Sequence, residues 1–94
     1  SGFIRIDEGA LKAIKNNKSL LPAGIIEVGG NFNRGDVISV YFTKKEKIAI
    51  GISAYDINEA KKIIGKKSKE IHNILGYEGR DEIIHKDDLV KIIL

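Results

Sequence analysis

The sequence predicts a mainly β domain in which short helices cap a small mixed barrel. Three observations support this fold: segments with strand-like apolar patterns outnumber helical ones, polar turns join several of them directly, and the helical patterns are short. A layered α/β fold would instead alternate its strands with longer helices. We therefore expect a small barrel built mainly from strands.

The first strand and the first helix come from residues 3–18. Phe3, Ile4 and Ile6 predict a short opening strand, and Asp7 is a suitable N-cap for the helix that follows. The helix separates its apolar residues, Ala10, Leu11, Ala13 and Ile14, from Lys12, Lys15 and Lys18, which fall on or near the other side.

A glycine-rich segment joins the next two strands. Pro22 and Gly24 end the helical region, and residues 25–28 are an apolar strand. Residues 29–35, GGNFNRG, are interpreted as a plain hairpin turn, because a phosphate-binding loop would lead into a helix whereas a strand follows here. Residues 36–42 alternate partly and predict a strand with both faces at least half buried.

Large and small residues alternate after a charged hairpin tip at residues 44–47. The large residues Ile48, Ile50 and Ile52 alternate with the small residues Ala49, Gly51 and Ser53. Small residues on one face suit a tightly curved barrel wall, so this segment is predicted to be a strand of the barrel.

Two short helices are predicted in tandem after this strand. Asp56 and Glu59 have the spacing of a capping box, and Gly65 supplies a left-handed stop. Ser68 and Gly76 bracket a second helix. The residues expected on the buried side of the two helices are Ile63, Ile64, Ile71, Ile74 and Leu75.

The tail is predicted to return to strand. Ile83 and Ile84 form one short segment and residues 89–93 another, with residues 85–88 as the turn between them. No repeat, linker or low-complexity segment interrupts the sequence, and 94 residues fit one domain.

Composition excludes several kinds of protein. The chain has no cysteine, so neither a disulfide framework nor a thiolate metal site can form. The absence of cysteine is also consistent with a cytoplasmic protein. No apolar run approaches the roughly 20 residues that span a bilayer, so we expect a soluble protein without membrane contact. The net charge of +3 is mild and 13 of the 16 cations are lysines, which makes basic character weak evidence for nucleic-acid binding.

Histidines and aromatic residues give few signs of a reactive or base-stacking site. His72 and His85 lack metal-ligand spacing, and each is expected to bond to local backbone. Three phenylalanines are expected to lie partly in the core, while Tyr41, Tyr55 and Tyr77 remain available for stacking on bases.

Four blocks carry a family resemblance in order: DEGALKAI (residues 7–14), SLLPAGIIEVGGNFNRGDVISV (19–40), IGKKSKEIHNILGYEGRDEIIH (64–85) and HKDDLV (85–90). The set resembles the PUA domain, and the last two blocks resemble the C-terminal PUA domain of bacterial glutamate 5-kinases. The resemblance implies a PUA-like pseudobarrel. It also implies that residues 3–94 are a single PUA domain. The absence of methionine and the opening Ser1-Gly2 predict that this domain is excised from a longer chain and that residues 1–2 are the remnant of a cleaved tag.

The resemblance implies a non-catalytic domain with a regulatory or assembly role. The parent enzyme would phosphorylate the γ-carboxylate of glutamate with ATP, the first step of proline biosynthesis. No catalytic, cofactor-binding or metal residue is then expected in these 94 residues. ATP and Mg2+ would belong to the N-terminal amino acid kinase domain, which is the expected partner, and the parent is expected to be a homo-oligomer.

The alternative is an RNA-binding PUA module of an RNA-modifying enzyme or of a free-standing protein. RNA-binding PUA domains use the first helix, the following loop and the second strand, so the resemblance implies contact with RNA or a neighbouring domain through Gly9, Lys12, Lys15, Lys18, Ser19, Pro22 and Gly24. Packing and turn geometry would explain the two glycines and the proline equally well. A second basic segment, residues 61–69, is either a solvated helical face or an attractor of phosphate or of an acidic domain.

Overall fold

Five strands and three short helices form the domain in a computed structural model that describes residues 2–92. In chain order they are β1 (Gly2–Ile6), α1 (Glu8–Lys15), β2 (Ile25–Gly30), β3 (Val37–Thr43), β4 (Glu46–Ile52), α2 (Ile57–Ile63), α3 (Ser68–Leu75) and β5 (Leu89–Lys91). Short 3-10 turns at Pro22–Gly24 and Lys86–Asp88 lead into β2 and β5. None of the three helices is long and apolar enough to cross a membrane.

The strands form one mixed sheet in the order β2-β1-β3-β4-β5. Strand β1 runs antiparallel to β2 and parallel to β3, so Phe3 lies between Gly29 and Ser39. Since β1 separates β2 from β3, the segment between those two strands is a crossover, and the predicted hairpin turn is wrong. Local turn residues cannot reveal that a strand from elsewhere in the chain lies between the two strands they connect.

A backbone bridge ties the segment after α1 to the segment before β5. The Leu20 N–H donates to the Ile84 carbonyl at 2.9 Å, and the Ile83 N–H donates to the Leu20 carbonyl at 2.9 Å. The predicted strand at Ile83 and Ile84 is thus no more than this bridge. The mainly β fold with short helices is confirmed, and it matches a pseudobarrel rather than a barrel with one continuous ladder.

Isoleucine dominates the core, which lies between one face of the sheet and the helices. The largest fully buried residues are Tyr55, Phe32, Leu20 and nine isoleucines: Ile4, Ile6, Ile14, Ile38, Ile48, Ile63, Ile71, Ile83 and Ile84. Among residues 2–92, no buried side-chain nitrogen or oxygen atom lacks a hydrogen-bond partner. Packing with satisfied polar groups is therefore what holds a domain without cysteine together.

Helix boundaries agree with the capping signals. The Asp56–Glu59 capping box is present, with Glu59 N–H donating to Asp56 at 2.8 Å and Asp56 N–H donating to Glu59 at 3.0 Å. Gly65 and Gly76 have φ of +76° and +79°, the left-handed geometry that glycine tolerates. Ile74 was expected to be buried, but it is 36% exposed. It lies beside the Ile71–Leu75 stripe of α3, which follows the i, i+4 spacing of a packed face.

A bulge in β4 lets two successive side chains face the core. Val40 pairs with Ala49 but Tyr41 pairs with Lys47, which leaves Ile48 as an extra residue. Ile48 and Ala49 are both buried as a result, whereas Ile52 is 42% exposed. The small residues thus line the core, and the outer face of the sheet becomes apolar. The expectation that both faces of β3 are half buried is wrong at Val37, which is 60% exposed.

The tail follows the prediction in part. A 3-10 turn precedes β5, which ends at Lys91, and the Ile92 N–H still donates to the Ile48 carbonyl at 2.8 Å. The predicted strand extended to residue 93, which lies outside the described residues. Gly2, the first residue of β1, pairs with Gly30 of β2 and with Ile38 of β3. The tag origin of residues 1–2 stays a prediction.

Candidate functional site

We name the seven predicted contact residues the α1 surface: Gly9, Lys12, Lys15, Lys18, Ser19, Pro22 and Gly24. The structure brings four of them, Gly9, Lys18, Ser19 and Gly24, to the rim of one open groove of about 420 Å³. Lys12 and Lys15 lie further along α1, and Pro22 is buried. Four of the seven residues thus share one groove, and a role in contact stays a prediction for all seven.

The groove owes its shape to the two ends of α1. At the N-terminus, Asp7 accepts from the Ala10 N–H at 2.8 Å and donates its own N–H to the Gly24 carbonyl at 2.9 Å. At the C-terminus, Asn17 adopts a φ of +60° and the Lys18 N–H donates to the Ala13 carbonyl at 2.9 Å. These bonds satisfy terminal groups of the helix and turn the chain back towards β2.

Three residues of the α1 surface have clear packing roles. A Cβ atom on Gly24 would lie 2.6 Å from the Cβ of Ala10, so only glycine fits there without a shift. The Pro22 carbonyl accepts from the Gly65 N–H at 2.7 Å, and Ser19 Oγ accepts from the Lys86 N–H at 2.8 Å. These contacts join the loop to other parts of the domain, and the close approach to Ala10 accounts for glycine at position 24 without any ligand.

A pair of glycine substitutions separates packing from recognition. We expect Gly24→Ala to lower the free energy of unfolding by about 1–3 kcal/mol, because the new methyl group overlaps Ala10. Gly9→Ala is the matched control: the nearest atom to its Cβ, Asp7 Oδ1, is 3.5 Å away, so alanine should add about 0.5–1 kcal/mol as a better helix former. Urea denaturation measures both, and equal effects would contradict the packing role of Gly24.

The lysines of the α1 surface remain as candidates for contact. Lys12, Lys15 and Lys18 are exposed, and none forms a salt bridge with the described residues. Lys12 and Lys15 lie in the last turn of α1, where positive charge also stabilises the helix dipole. The five lysines of the second basic segment, Lys61, Lys62, Lys66, Lys67 and Lys69, are likewise exposed. Contact with RNA or another domain stays a prediction for these groups.

Sequence reasoning missed a polar cluster made by Arg34, Glu59 and Tyr77. Arg34 Nε donates to Glu59 Oε1 at 2.9 Å, and Arg34 Nη2 donates to the other oxygen of the same carboxylate. The Tyr77 hydroxyl also donates to Glu59, and the guanidinium carbon lies 5.4 Å from the centre of the Tyr77 ring. The cluster ties the crossover after β2 to α2 and to the segment after α3.

The charges of Arg34 and Glu59 in this cluster are paired, and the pairing shifts the pKa values of its members. Hydrogen bonding from Arg34 holds the pKa of Glu59 at about 2, well below the ordinary 4.5. Desolvation, followed by the hydrogen bond to Glu59, raises the pKa of Tyr77 to about 12. A carboxylate that accepts from Arg34, Tyr77 and the Asp56 N–H has little capacity left to act as a general base. The arrangement therefore supports the fold rather than catalysis.

The low pKa of Glu59 predicts an acid-dependent loss of stability. The folded state binds fewer protons than the unfolded state between pH 4.5 and about 2, so the contribution is complete above that window and is lost as pH falls through it. We expect Glu59→Gln to be less stable at neutral pH and to lose less stability than the wild type on acidification. Denaturation midpoints from pH 7 to 2 test this, with Glu78→Gln, an exposed neighbour, as the control; parallel pH profiles would contradict it.

The remaining candidate residues have local roles. His72 accepts from the Gly79 N–H at 3.3 Å and His85 from the Asp87 N–H at 3.1 Å, which confirms the expected backbone bonding. Tyr55 is only 2% exposed and donates its hydroxyl to the Arg80 carbonyl, so the expectation that it remains available for base stacking is wrong. Within residues 2–92 there is no group of three or more histidines and carboxylates placed to hold a metal ion.

The fold and its short helices define a known family. Residues 2–75 match the family described as the PUA domain, and the chain belongs to this family. Solved structures agree in fold: a PUA domain from Aeropyrum pernix superposes with a TM-score of 0.62 at 23% identity, covering 89% of this chain and 42% of that one. A chain from an archaeal box H/ACA sRNP Nop10-Cbf5 complex gives 0.67 at 19% identity, covering 99% and 24%. These two similarities show the fold alone.

Relatives with much higher identity include several glutamate 5-kinases. The chain is 51% identical to glutamate 5-kinase from Allorhizobium ampelinum and 52% identical to glutamate 5-kinase from Agrobacterium fabrum, each over 90 residues. Glutamate 5-kinase 1 from Rhizobium meliloti is 50% identical over the same length. The match covers 96% of this chain but only 23% of each of these relatives, so the chain spans about a quarter of their length.

Proposed function

We propose that this chain is the C-terminal PUA domain of a glutamate 5-kinase and acts as a non-catalytic regulatory or assembly module. One observation carries the proposal: half of the residues are identical to glutamate 5-kinases across 96% of the chain. The shared fold by itself would not select this function, because one fold serves many functions. Identity over nearly the whole domain, loops included, is a much narrower criterion.

The parent enzyme in this proposal transfers a phosphoryl group from ATP to the γ-carboxylate of glutamate, the reaction that opens proline biosynthesis. ATP and Mg2+ would be bound by an amino acid kinase domain that precedes this domain in the longer chain, and that domain would be the main partner of the PUA domain. A homo-oligomeric parent located in the cytoplasm completes the proposal. No step of the chemistry is assigned to residues 2–92.

The physical contribution of the domain would be a coupling free energy. If one surface of the PUA domain contacts the kinase domain better in one assembly or activity state than in another, it shifts the balance between them. Coupling of about 1–3 kcal/mol, typical of such effects, changes an affinity or a population roughly 5- to 150-fold. A small domain without a reaction centre can therefore control an enzyme.

Deletion of residues 2–92 from the full-length chain tests the proposal. We expect glutamate phosphorylation to persist, because the reacting groups lie elsewhere, while the oligomeric state, inhibition by proline or the dependence on Mg2+ changes. A full-length chain with Glu78→Gln is the control, since it alters an exposed side chain and leaves the domain in place. The proposal fails if deletion leaves all three properties at their full-length values.

RNA binding, the alternative function, is not favoured by the relatives of high identity, which are kinases. The burial of Tyr55 also removes one of the three aromatic residues considered for base stacking. We expect the full-length chain to show no RNA affinity that depends on Lys15 and Lys18. Binding weakened by Lys15→Glu and Lys18→Glu, with log K falling by about 0.7 per neutralised phosphate against log salt, would reinstate the alternative.

A further inference from the structure

The outer side of the sheet carries exposed apolar residues on three neighbouring strands. Val37 on β3 pairs directly with Ile52 on β4, and Ile50 on β4 pairs directly with Val90 on β5. Val37 is 60% exposed, Ile52 42% and Val90 61%. These four residues, which we name the outer apolar face, line a shallow hollow of about 270 Å³.

The outer apolar face continues across the sheet towards β1. Phe3 pairs with Ser39, Ser39 with Ile50 and Ile50 with Val90, which makes one row of outward-facing side chains across four strands. Phe3 packs edge-to-face on Tyr41, with 6.2 Å between the ring centres. Phe3 and Tyr41 line a second hollow of about 420 Å³ beside this row.

Such a surface is unusual for a sheet that meets only water. The core lies on the opposite side, under Ile38, Val40 and Ala49, so the outer residues contribute little to it. A sheet face open to solvent normally alternates to polar side chains, and a contiguous exposed apolar patch marks an interaction site. Asp87 and Asp88 border the hollow and provide the polar rim typical of an interface.

We propose that the outer apolar face is where the part of the longer chain preceding residue 2 docks on this domain. The inference rests on the proposed function and gives the domain contact a location. Relatives extend well beyond the region matched here, which is 23% of their length. The chain enters β1 at Gly2, which pairs with Ile38, the neighbour of Val37. The preceding chain therefore arrives at the border of this face and needs no long linker to cover it.

The outer apolar face differs from the α1 surface in the kind of side chain that it presents. The α1 surface presents lysines and a groove, whereas the outer apolar face presents β-branched side chains across adjacent strands. Removal of apolar area from water is the dominant favourable term in most protein–protein association. Changes at Lys15 and Lys18 are therefore expected to leave docking of the preceding chain unaltered.

Thiol reactivity in the full-length chain tests this inference. Val37→Cys and Val90→Cys report on the outer apolar face, and Ile26→Cys, at a 49% exposed position on β2 at the opposite edge of the sheet, is the control. Alkylation by iodoacetamide is followed at each site by mass spectrometry and divided by the rate in denaturant. We expect the two reporter sites to react about tenfold or more slowly than the control, because they become accessible only when the interface opens.

A cross-linking arm identifies what covers the face. Benzophenone maleimide on Val37→Cys should form cross-links to residues that precede residue 2. Cross-links to residues 1–94 of a second copy, or alkylation as fast as at Ile26→Cys, would overturn the inference. Glutamate phosphorylation is measured on the same preparation. An active enzyme with a freely reactive face refutes the docking site alone, whereas an inactive full-length chain refutes the proposed function.

Discussion

Phe32→Ala is expected to lower the free energy of unfolding by about 3–5 kcal/mol, a large part of the 5–15 kcal/mol typical of a whole domain. Phe32 is 2% exposed although it lies in the crossover between β2 and β3. Its ring lies directly against Gly2 at the start of β1, and its carbonyl accepts from the Ile57 N–H at 3.0 Å. The side chain thus closes one end of the core, and its removal leaves a cavity there.

Urea denaturation of the 94-residue chain measures this effect. Phe42→Ala is the control, because Phe42 is only partly buried at the border of the core and should cost clearly less. Similar losses for the two variants would show that Phe32 is not the principal support of the crossover. A loss below about 1 kcal/mol for Phe32→Ala would contradict the placement of its ring in the core.

Leu20→Ala is expected to cost about 2–5 kcal/mol, the second large effect. Leu20 is fully buried, and its backbone forms the bridge to Ile84 that ties the segment after α1 to the tail. The neighbouring residue gives a sharp comparison, since Leu21 is 45% exposed and Leu21→Ala should stay within about 0.5–1 kcal/mol. If both variants unfold at the same urea concentration, the proposed closure of the pseudobarrel at Leu20 is incorrect.

Helix positions could be predicted because their signals are local. Asp56, Glu59 and Gly76 act within one or two turns of the residues they cap, so the sequence contains the whole interaction. The strand order could not be predicted in the same way. Insertion of β1 between β2 and β3 depends on pairing between distant residues, and the bulge at Ile48 depends on the register with Tyr41.

The candidate surfaces also divide into features with a local sequence signal and features that depend on distant residues. Gly24 and Pro22 stood out in the sequence as backbone signals, and the structure gives them packing roles. The cluster of Arg34, Glu59 and Tyr77 joins residues 18–43 positions apart, and no local pattern relates them. One signal was available: Arg34 is one of three arginines in a lysine-rich chain, and a guanidinium group is preferred where a carboxylate is held by two bonds.

The outer apolar face shows that alternation of large and small residues in a strand does not by itself reveal which set faces the core. Ile50 and Ile52 alternate with Gly51 as a core-facing strand would, yet the small residues face the core and the large ones face outward. A Cβ atom on Gly51 would lie 2.7 Å from Ile84, so the inner side of the sheet has no room for a side chain at this position. Volume inside the barrel, which only the assembled fold defines, decides the direction.

The most direct test of the central claim is a comparison of glutamate-dependent ADP formation, with ATP and Mg2+, between the full-length chain and residues 1–94 alone. A C-terminal domain of a glutamate 5-kinase predicts phosphorylation by the full-length chain and none by the 94 residues. Phosphorylation of glutamate by the 94 residues, or its absence from a folded full-length chain, would contradict the account.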